Sequence, residues 1–263
     1  MGITLRCWLF DSRMLAQGTL HRHHSVFCFL SASSKSQTLR WVNSLLVRIL
    51  SQISKAKSLS SPVSLHNPWQ MAWRILIISG GATGIGAATV KILAKHGAQV
   101  LIGDINTSAA EELARQTTGV TTARCDVTNY DDIYQLFRLA HEQYGVVHHA
   151  ISSAGILEQG NWFDPALTIE TIKNPGNTKV IDINLMGSLN FARIAAVFLR
   201  DGLQKGENRS LTLLSSVNAF RDSPGLYLYQ VRRRSVRRVF VYAFVDFKAR
   251  YPRASAINSD DTL

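Results

Sequence analysis

Short apolar runs alternate with amphipathic stretches through the middle of the chain, and this rhythm predicts its elements. Arg74-Ile-Leu-Ile-Ile-Ser79 is a β-branched apolar run with no polar alternation, the pattern of a strand buried on both faces. A glycine-rich turn follows, then a helix over Ala87 to His96 closed by Gly97. Gln99 to Gly103 and Val120 to Cys125 read as strands, with a helix over Ser108 to Gln116 between them. Tyr130 to Tyr144 has helical spacing, and Gly145 marks its stop. His148 to Ser152 is a fourth strand, Lys179 to about Arg200 a long helix, and Ser210 to Ser215 a fifth strand. Strands and helices in this alternation build βαβ units, so the expected fold is a doubly wound α/β fold with a parallel sheet and helices on both faces. After Tyr229 only Val239 to Val245 looks like a strand, so the second half of the sheet is expected to be incomplete.

Charge divides the chain at the same boundaries. The net charge of +11 over 263 residues separates into +7 for residues 1–70, −1 for 71–230 and +5 for 231–263. The middle carries none of the excess, so the basic character does not imply nucleic acid as a partner of the central domain. The first segment is rich in Ser and Arg and holds one acid, Asp11. Trp41, Leu45, Ile49 and Ile53 form a helical stripe flanked by Arg40, Arg48, Lys55 and Lys57. Two readings stand for it: a targeting or membrane-surface helix, or a segment without such a role, either a poorly ordered extension or untranslated upstream sequence with Met71 as the true start. The first reading sends the protein to mitochondria, and the second leaves it in the cytoplasm. No run reaches the ~18 apolar residues of a membrane span. Cys7, Cys28 and Cys125 are widely spaced, and His21, His23 and His24 have no carboxylate or thiol nearby. Neither a disulfide framework nor a metal site is expected.

The chemistry concentrates at strand ends. Ser79-Gly80-Gly81-Ala82-Thr83-Gly84-Ile85-Gly86 joins the first strand of the middle segment to its helix. Glycines there admit a sharp turn and close approach to a pyrophosphate, and the helix N-terminus offers free N–H groups. Asp104 ends the next strand, one helix downstream of Gly84. An acid in that place accepts hydrogen bonds from a ribose and repels a 2′-phosphate. With Ile105 rather than a cation beside it, NAD is favoured over NADP.

Taken in order along residues 71–230, these motifs resemble the short-chain dehydrogenase/reductase family, whose fold is Rossmann-like and whose glycine motif is Thr/Ser-Gly-x-x-x-Gly-x-Gly. The match includes Ser79, Gly80, Thr83, Gly84, Ile85 and Gly86. Asp126-Val127 resembles the pair that touches adenine. Ser153-Ala154-Gly155 resembles the Asn-Ala-Gly motif, with Ser in the Asn place. Asn184 matches the Asn of the long helix, Ser216 the catalytic Ser, and Tyr229, further along the chain, the catalytic Tyr. The resemblance implies hydride transfer between a nicotinamide cofactor and a small secondary alcohol or ketone. Tyr229 would be the acid/base, Ser216 the group that holds the substrate oxygen, and Asn184 a support of the proton relay. It also implies pairing of subunits through long helices.

A tyrosine with an ordinary pKa near ~10 needs a neighbouring cation to act as a base at neutral pH. The family places a Lys four residues after its Tyr, and here Arg233 stands there. Arg keeps the charge but does not give up its proton. An alternative function is therefore a dinucleotide-binding protein with weak or no catalysis. The simultaneous change of motif, pattern and charge after Gln230 suggests a frameshifted or misspliced end, or else a basic tail for acidic partners.

Overall fold

In a computed structural model the described residues are 28–30, 74–203, 209–216 and 225–230. The elements are β1 (Cys28–Leu30), β2 (Ile75–Ser79), α1 (Gly84–Lys95), β3 (Gln99–Asp104), α2 (Thr107–Arg115), β4 (Val120–Arg124), α3 (Tyr130–Tyr144), β5 (His149–Ser152), α4 (Lys179–Phe198) and β6 (Ser210–Ser216). All strand pairs are parallel, in the order β1-β6-β5-β2-β3-β4. The chain runs outward from β2 through β3 to β4, then returns to the other side of β2 for β5 and β6. The direction of winding therefore reverses between β2 and β5, and in a doubly wound sheet that reversal opens a crevice at the carboxyl ends of the strands.

Five of the strands come from the central segment, in agreement with the pattern of apolar runs. The sixth and edge strand is only three residues long and comes from the N-terminal segment, which the sequence pattern sets outside the domain. Cys28 pairs with Leu214, and Leu30 with Ser216.

Successive residues of each central strand feed opposite layers, the period-two rule of a strand. Leu76, Ile78, Val100 and Ile102 face Val90, Leu93, Ala110 and Leu113 of α1 and α2. Ile77, Leu101 and Ala150 face Ile133, Leu136, Phe137, Phe191 and Ile194 of α3 and α4. The Phe137 and Phe191 rings meet edge to face at 5.1 Å between centroids, locking α3 to α4. Both layers are closed to solvent, which is why β2 and β3 read as unbroken apolar runs rather than as alternation.

One predicted helix is not continuous. Within α4, Lys179–Ile181 and Gly187–Phe198 are α-helical, and Asp182–Met186 between them is π-helical. Such wide turns commonly mark functional positions, and this one holds Asn184. Among the described residues, Lys179–Phe198 is also the one helix long and apolar enough, by length and composition, to cross a membrane. Its Phe191, Ile194 and Ala195 are buried in the α3 layer of the core.

At the opposite end of the sheet from the crevice, His149 is 1% exposed, and its Nδ1 lies 2.8 Å from the Ser210 hydroxyl. Burial, reinforced by the positive charges of Arg74, His148 and Arg209, pushes its pKa down to about 3. The folded state thus keeps His149 neutral, while the unfolded chain takes up a proton near pH 6.5. Stability is complete above that pH and is lost as pH falls toward 3. Between pH 7.5 and 5.0 the loss from this group is about 2 kcal/mol. Urea unfolding at the two pH values should show that difference in the unmodified chain and a markedly smaller one in His149→Gln; equal differences in both would remove His149 as the cause.

Candidate active site

The crevice is a cleft of about 330 Å³, walled by the residues that leave the carboxyl ends of β2, β3, β4 and β5. After β2 come Gly80, Thr83, Gly84, Ile85 and Gly86; after β3, Asp104 and Ile105; after β4, Cys125, Asp126 and Val127; after β5, Ser153, Ala154, Gly155 and Ile156. Ile183 of α4 completes the wall. Every cofactor residue predicted from the sequence is there except Ser79. That side chain is buried behind the loop, with no hydrogen-bond partner for its Oγ among the described residues. Cys125, Ile156 and Ile183 were not anticipated. Each adjoins a predicted residue, so the signal was positional: at the end of a parallel strand the whole turn faces the crevice, not only its motif residues.

The glycine loop owes its shape to missing side chains. A β-carbon on Gly86 would stand 1.9 Å from the Gly80 carbonyl oxygen, so only glycine lets α1 begin directly against the turn. Gly84 has φ +56° and would meet no atom within 4 Å, so its open side faces the cleft. The Thr83 side chain makes no capping bond, and the first turn of α1 carries no acid. The first helical bond near the loop is Ala87 N–H to the Thr83 carbonyl at 3.1 Å. The N–H groups of Gly84, Ile85 and Gly86 precede the helical ladder at the positive end of the dipole, an arrangement that fits a pyrophosphate.

Asp104 shapes the loop as well as the cleft. Its Oδ2 accepts the Ala82 N–H at 2.9 Å, and its Oδ1 accepts the Asn106 N–H at 2.9 Å. Asp126 is held from both sides. Its own N–H donates to Asp132 Oδ2 at 2.9 Å, and its Oδ1 accepts the Thr128 N–H at 2.9 Å and hydroxyl at 2.7 Å. The Thr128 backbone bond, then the hydroxyl bond, hold the Asp126 pKa below the usual carboxylate range. Burial pushes the Cys125 thiol up to about 12, and the carboxylates of Asp132, Asp126 and Asp104 add to the shift. At neutral pH that thiol stays protonated, so it lines the cleft as a small apolar group and not as a nucleophile.

The four predicted catalytic residues are not treated alike. Asn184 is fully buried on the π-helical turn. Its Oδ1 accepts the Ile156 N–H and its Nδ2 donates to the Ile156 carbonyl, both at 2.7 Å. The amide thereby pairs with a peptide as a strand would. Its own carbonyl accepts the Ser188 hydroxyl at 2.7 Å. Ser216 is the buried last residue of β6. Tyr229 is 7% exposed, on a helical turn over residues 227–230, and its N–H donates to Glu158 Oε2 at 3.1 Å. The structure thus joins Asn184 to the cleft wall through Ile156 and sets Ser216 and Tyr229 outside that wall. Arg233 lies outside the described residues.

Gly86→Ala tests the turn directly. The added methyl must displace the Gly80 peptide, so the variant should lose about 1–3 kcal/mol of stability in urea unfolding. It should also lose dinucleotide affinity as its N–H groups move. Unchanged stability and binding would mean that the turn is not so constrained.

Comparison with known proteins agrees with this geometry. Residues 80–260 match the family model described as Enoyl-(Acyl carrier protein) reductase, a match that runs past Gln230. Short-chain dehydrogenase reductase 3a of Arabidopsis thaliana is 31% identical over 201 residues, covering 72% of this chain and 74% of the relative. The uncharacterized oxidoreductase Mb1385 of Mycobacterium bovis is 34% identical over 131 residues, covering 49% of this chain and 50% of the relative. Against that second relative the chain spans about half the length. Among solved structures, 3-ketoacyl-(acyl-carrier-protein) reductase from Brucella melitensis, complexed with NADH, superimposes with a TM-score of 0.58 at 19% identity. It covers 68% of this chain and 72% of that one. A short chain dehydrogenase from Mycobacterium smegmatis gives 0.58 at 20%, covering 71% and 75%. At those identities the structural likeness speaks for the fold. With the family model matched over more than half of the chain, and the Arabidopsis relative matched at 31% identity over 74% of its length, the protein belongs to the short-chain dehydrogenase/reductase family of oxidoreductases.

Proposed function

We propose that the chain transfers a hydride between NAD(H) and the carbon of a secondary alcohol or ketone, with Tyr229 as the acid/base. The observation that carries this reading is the cleft: one continuous wall joins the free N–H groups of Gly84 to Gly86 to the carboxylate of Asp104 and the Ser153-Ala154-Gly155 turn. When bound, the nicotinamide supplies the hydride or accepts it. The chain's own residues bind, orient and move the proton. Gly84, Ile85 and Gly86 hold the pyrophosphate, Asp104 the adenosine ribose, and Asp126 with Val127 the adenine edge. Ser216 donates a hydrogen bond to the substrate oxygen, and Tyr229 gives that oxygen its proton or removes it. Arg233 supplies the positive charge that favours the phenolate. Asn184 fixes the loop that carries Ile156. The NADH complex of the Brucella relative supports a nicotinamide dinucleotide as cofactor. Asp104 together with uncharged, 62% exposed Ile105 supports NAD rather than NADP.

Arg233 favours a second reading, binding without turnover, because a guanidinium cannot pass a proton on. Fluorescence titration with NADH and NADPH, followed by turnover assays on a panel of secondary alcohols and ketones, separates the two. The expected outcome is NADH binding at least about tenfold tighter than NADPH, with turnover that falls about 100-fold or more in Tyr229→Phe. Arg233→Lys should raise the rate. Binding with no turnover in the unmodified chain and none in Arg233→Lys would establish the second reading; no binding of either dinucleotide would overturn both.

A further inference from the structure

Glu158 lies on the loop that leaves β5, 71 residues from Tyr229 in sequence, yet its Oε2 accepts the Tyr229 N–H at 3.1 Å. Its other oxygen, Oε1, is shut off from solvent and has no hydrogen-bond partner among the described residues. Leaving a carboxylate oxygen dry and unpaired is costly, so the carboxylate is held there by its surroundings rather than by its own preference. Those surroundings are visible. Two residues before Glu158, the Ile156 peptide is clamped on both its N–H and its carbonyl by Asn184. Five residues after it, the Phe163 ring stands edge-on to Tyr227 at 4.7 Å between centroids. The loop therefore grips the Tyr229 turn at two points and is itself anchored to α4.

The backbone of that turn explains why a side chain is needed. Its first helical bond is Gln230 N–H to the Leu226 carbonyl at 3.0 Å. Tyr229 is the residue just before, so its N–H precedes the ladder and needs an acceptor from elsewhere. A carboxylate gives a charge-assisted bond, stronger than a neutral one. That bond ties down the backbone of the turn, from which two side-chain torsions place the phenol.

We propose that Glu158 is a positioning residue for Tyr229, setting the orientation of the phenol through the backbone N–H. The inference rests on the reading of Tyr229 as the acid/base. Three variants test it: Glu158→Ala removes the acceptor, Glu158→Gln keeps it without charge, and Glu158→Asp keeps the charge but falls one methylene short. Hydrogen exchange of the peptide spanning residues 226–230 reads the bond itself, whether or not the protein turns over. Exchange should quicken roughly tenfold or more in the Ala and Asp variants and much less in Gln. For turnover, kcat should fall roughly 10- to 100-fold in Ala and Asp with KM for NADH unchanged, and recover in Gln. Unchanged exchange in Ala, or a Gln variant as impaired as Ala, overturns the proposal. Fast exchange with undiminished kcat in Ala leaves a bond without a positioning role and also overturns it. If NADH binds but neither the unmodified chain nor Arg233→Lys turns over, the acid/base reading fails by itself, and the exchange arm still decides the bond. Should Glu158→Ala fail to fold, Asp against Gln carries the same comparison.

Discussion

The 1.9 Å that would separate a Gly86 β-carbon from the Gly80 carbonyl oxygen sets the geometry from which the cofactor half of the site is built. Because that β-carbon is absent, α1 starts directly against the turn that leaves β2, and its unbonded N–H groups open into the crevice. The same turn is tied to the next strand twice. Gly80 N–H donates to the Gly103 carbonyl at 2.8 Å, and Ala82 N–H donates to Asp104 Oδ2 at 2.9 Å. A carboxylate suited to a ribose is thus also a strut of the phosphate loop. Asp104 and the loop are one mechanical unit, and a change at either is felt at the other.

The opposite wall is built by a different device. The turn after β5 has no helix starting at once behind it; residues 153–178 run as a long connection before α4. Such a segment needs backbone partners away from its own elements. Asn184 supplies two of them, and the π-helical turn is where this residue sits. Ser188 fills part of what the wider turn leaves open, donating its hydroxyl to the Asn184 carbonyl. The departure from regular helix and the clamp on Ile156 coincide on one residue, whose amide holds the cleft wall in place.

The parts legible in the sequence were those set by local rules. Buried strands such as Ile75–Ser79 announce themselves by unbroken apolar runs, and α3 ends at Gly145 as its stop signal indicates. The residues that line the cleft were legible because a glycine-rich turn between a strand and a helix leaves few places for its side chains to go. What was not legible depended on partners far away in the chain. The π-helical turn has no periodic signature, because a single widened turn leaves the apolar stripe of α4 nearly in phase. Cys28–Leu30 is too short to stand out from the surrounding Ser-rich segment, and its place in the sheet is set by an edge that Leu214 to Ser216 offer from the far end of the domain. Glu158 lies three residues past the Ser153-Ala154-Gly155 turn, in a loop with no periodic pattern, and only the fold brings it to Tyr229.

The two halves of the site therefore stand on unequal foundations. The dinucleotide half is made of adjacent strand ends, each held by ladder bonds, with β2, β3 and β5 buried in the core, so its geometry is inherited from the sheet. The half proposed to handle the proton lies at the end of β6 and on one turn of helix, and that turn is joined to the loop from β5 by the Glu158 bond and the Phe163–Tyr227 contact. Orienting a reacting group to within fractions of an ångström matters more for turnover than for binding. A chain that keeps the first half intact retains the architecture for binding a dinucleotide whatever becomes of the second. In the proposed mechanism, turnover depends further on the turn that carries Tyr229, which the loop from β5 holds through Glu158. This asymmetry explains how one fold supports both a catalytic reading and a binding reading, and it places the difference between them at the loop and the tyrosine turn rather than at the glycine motif.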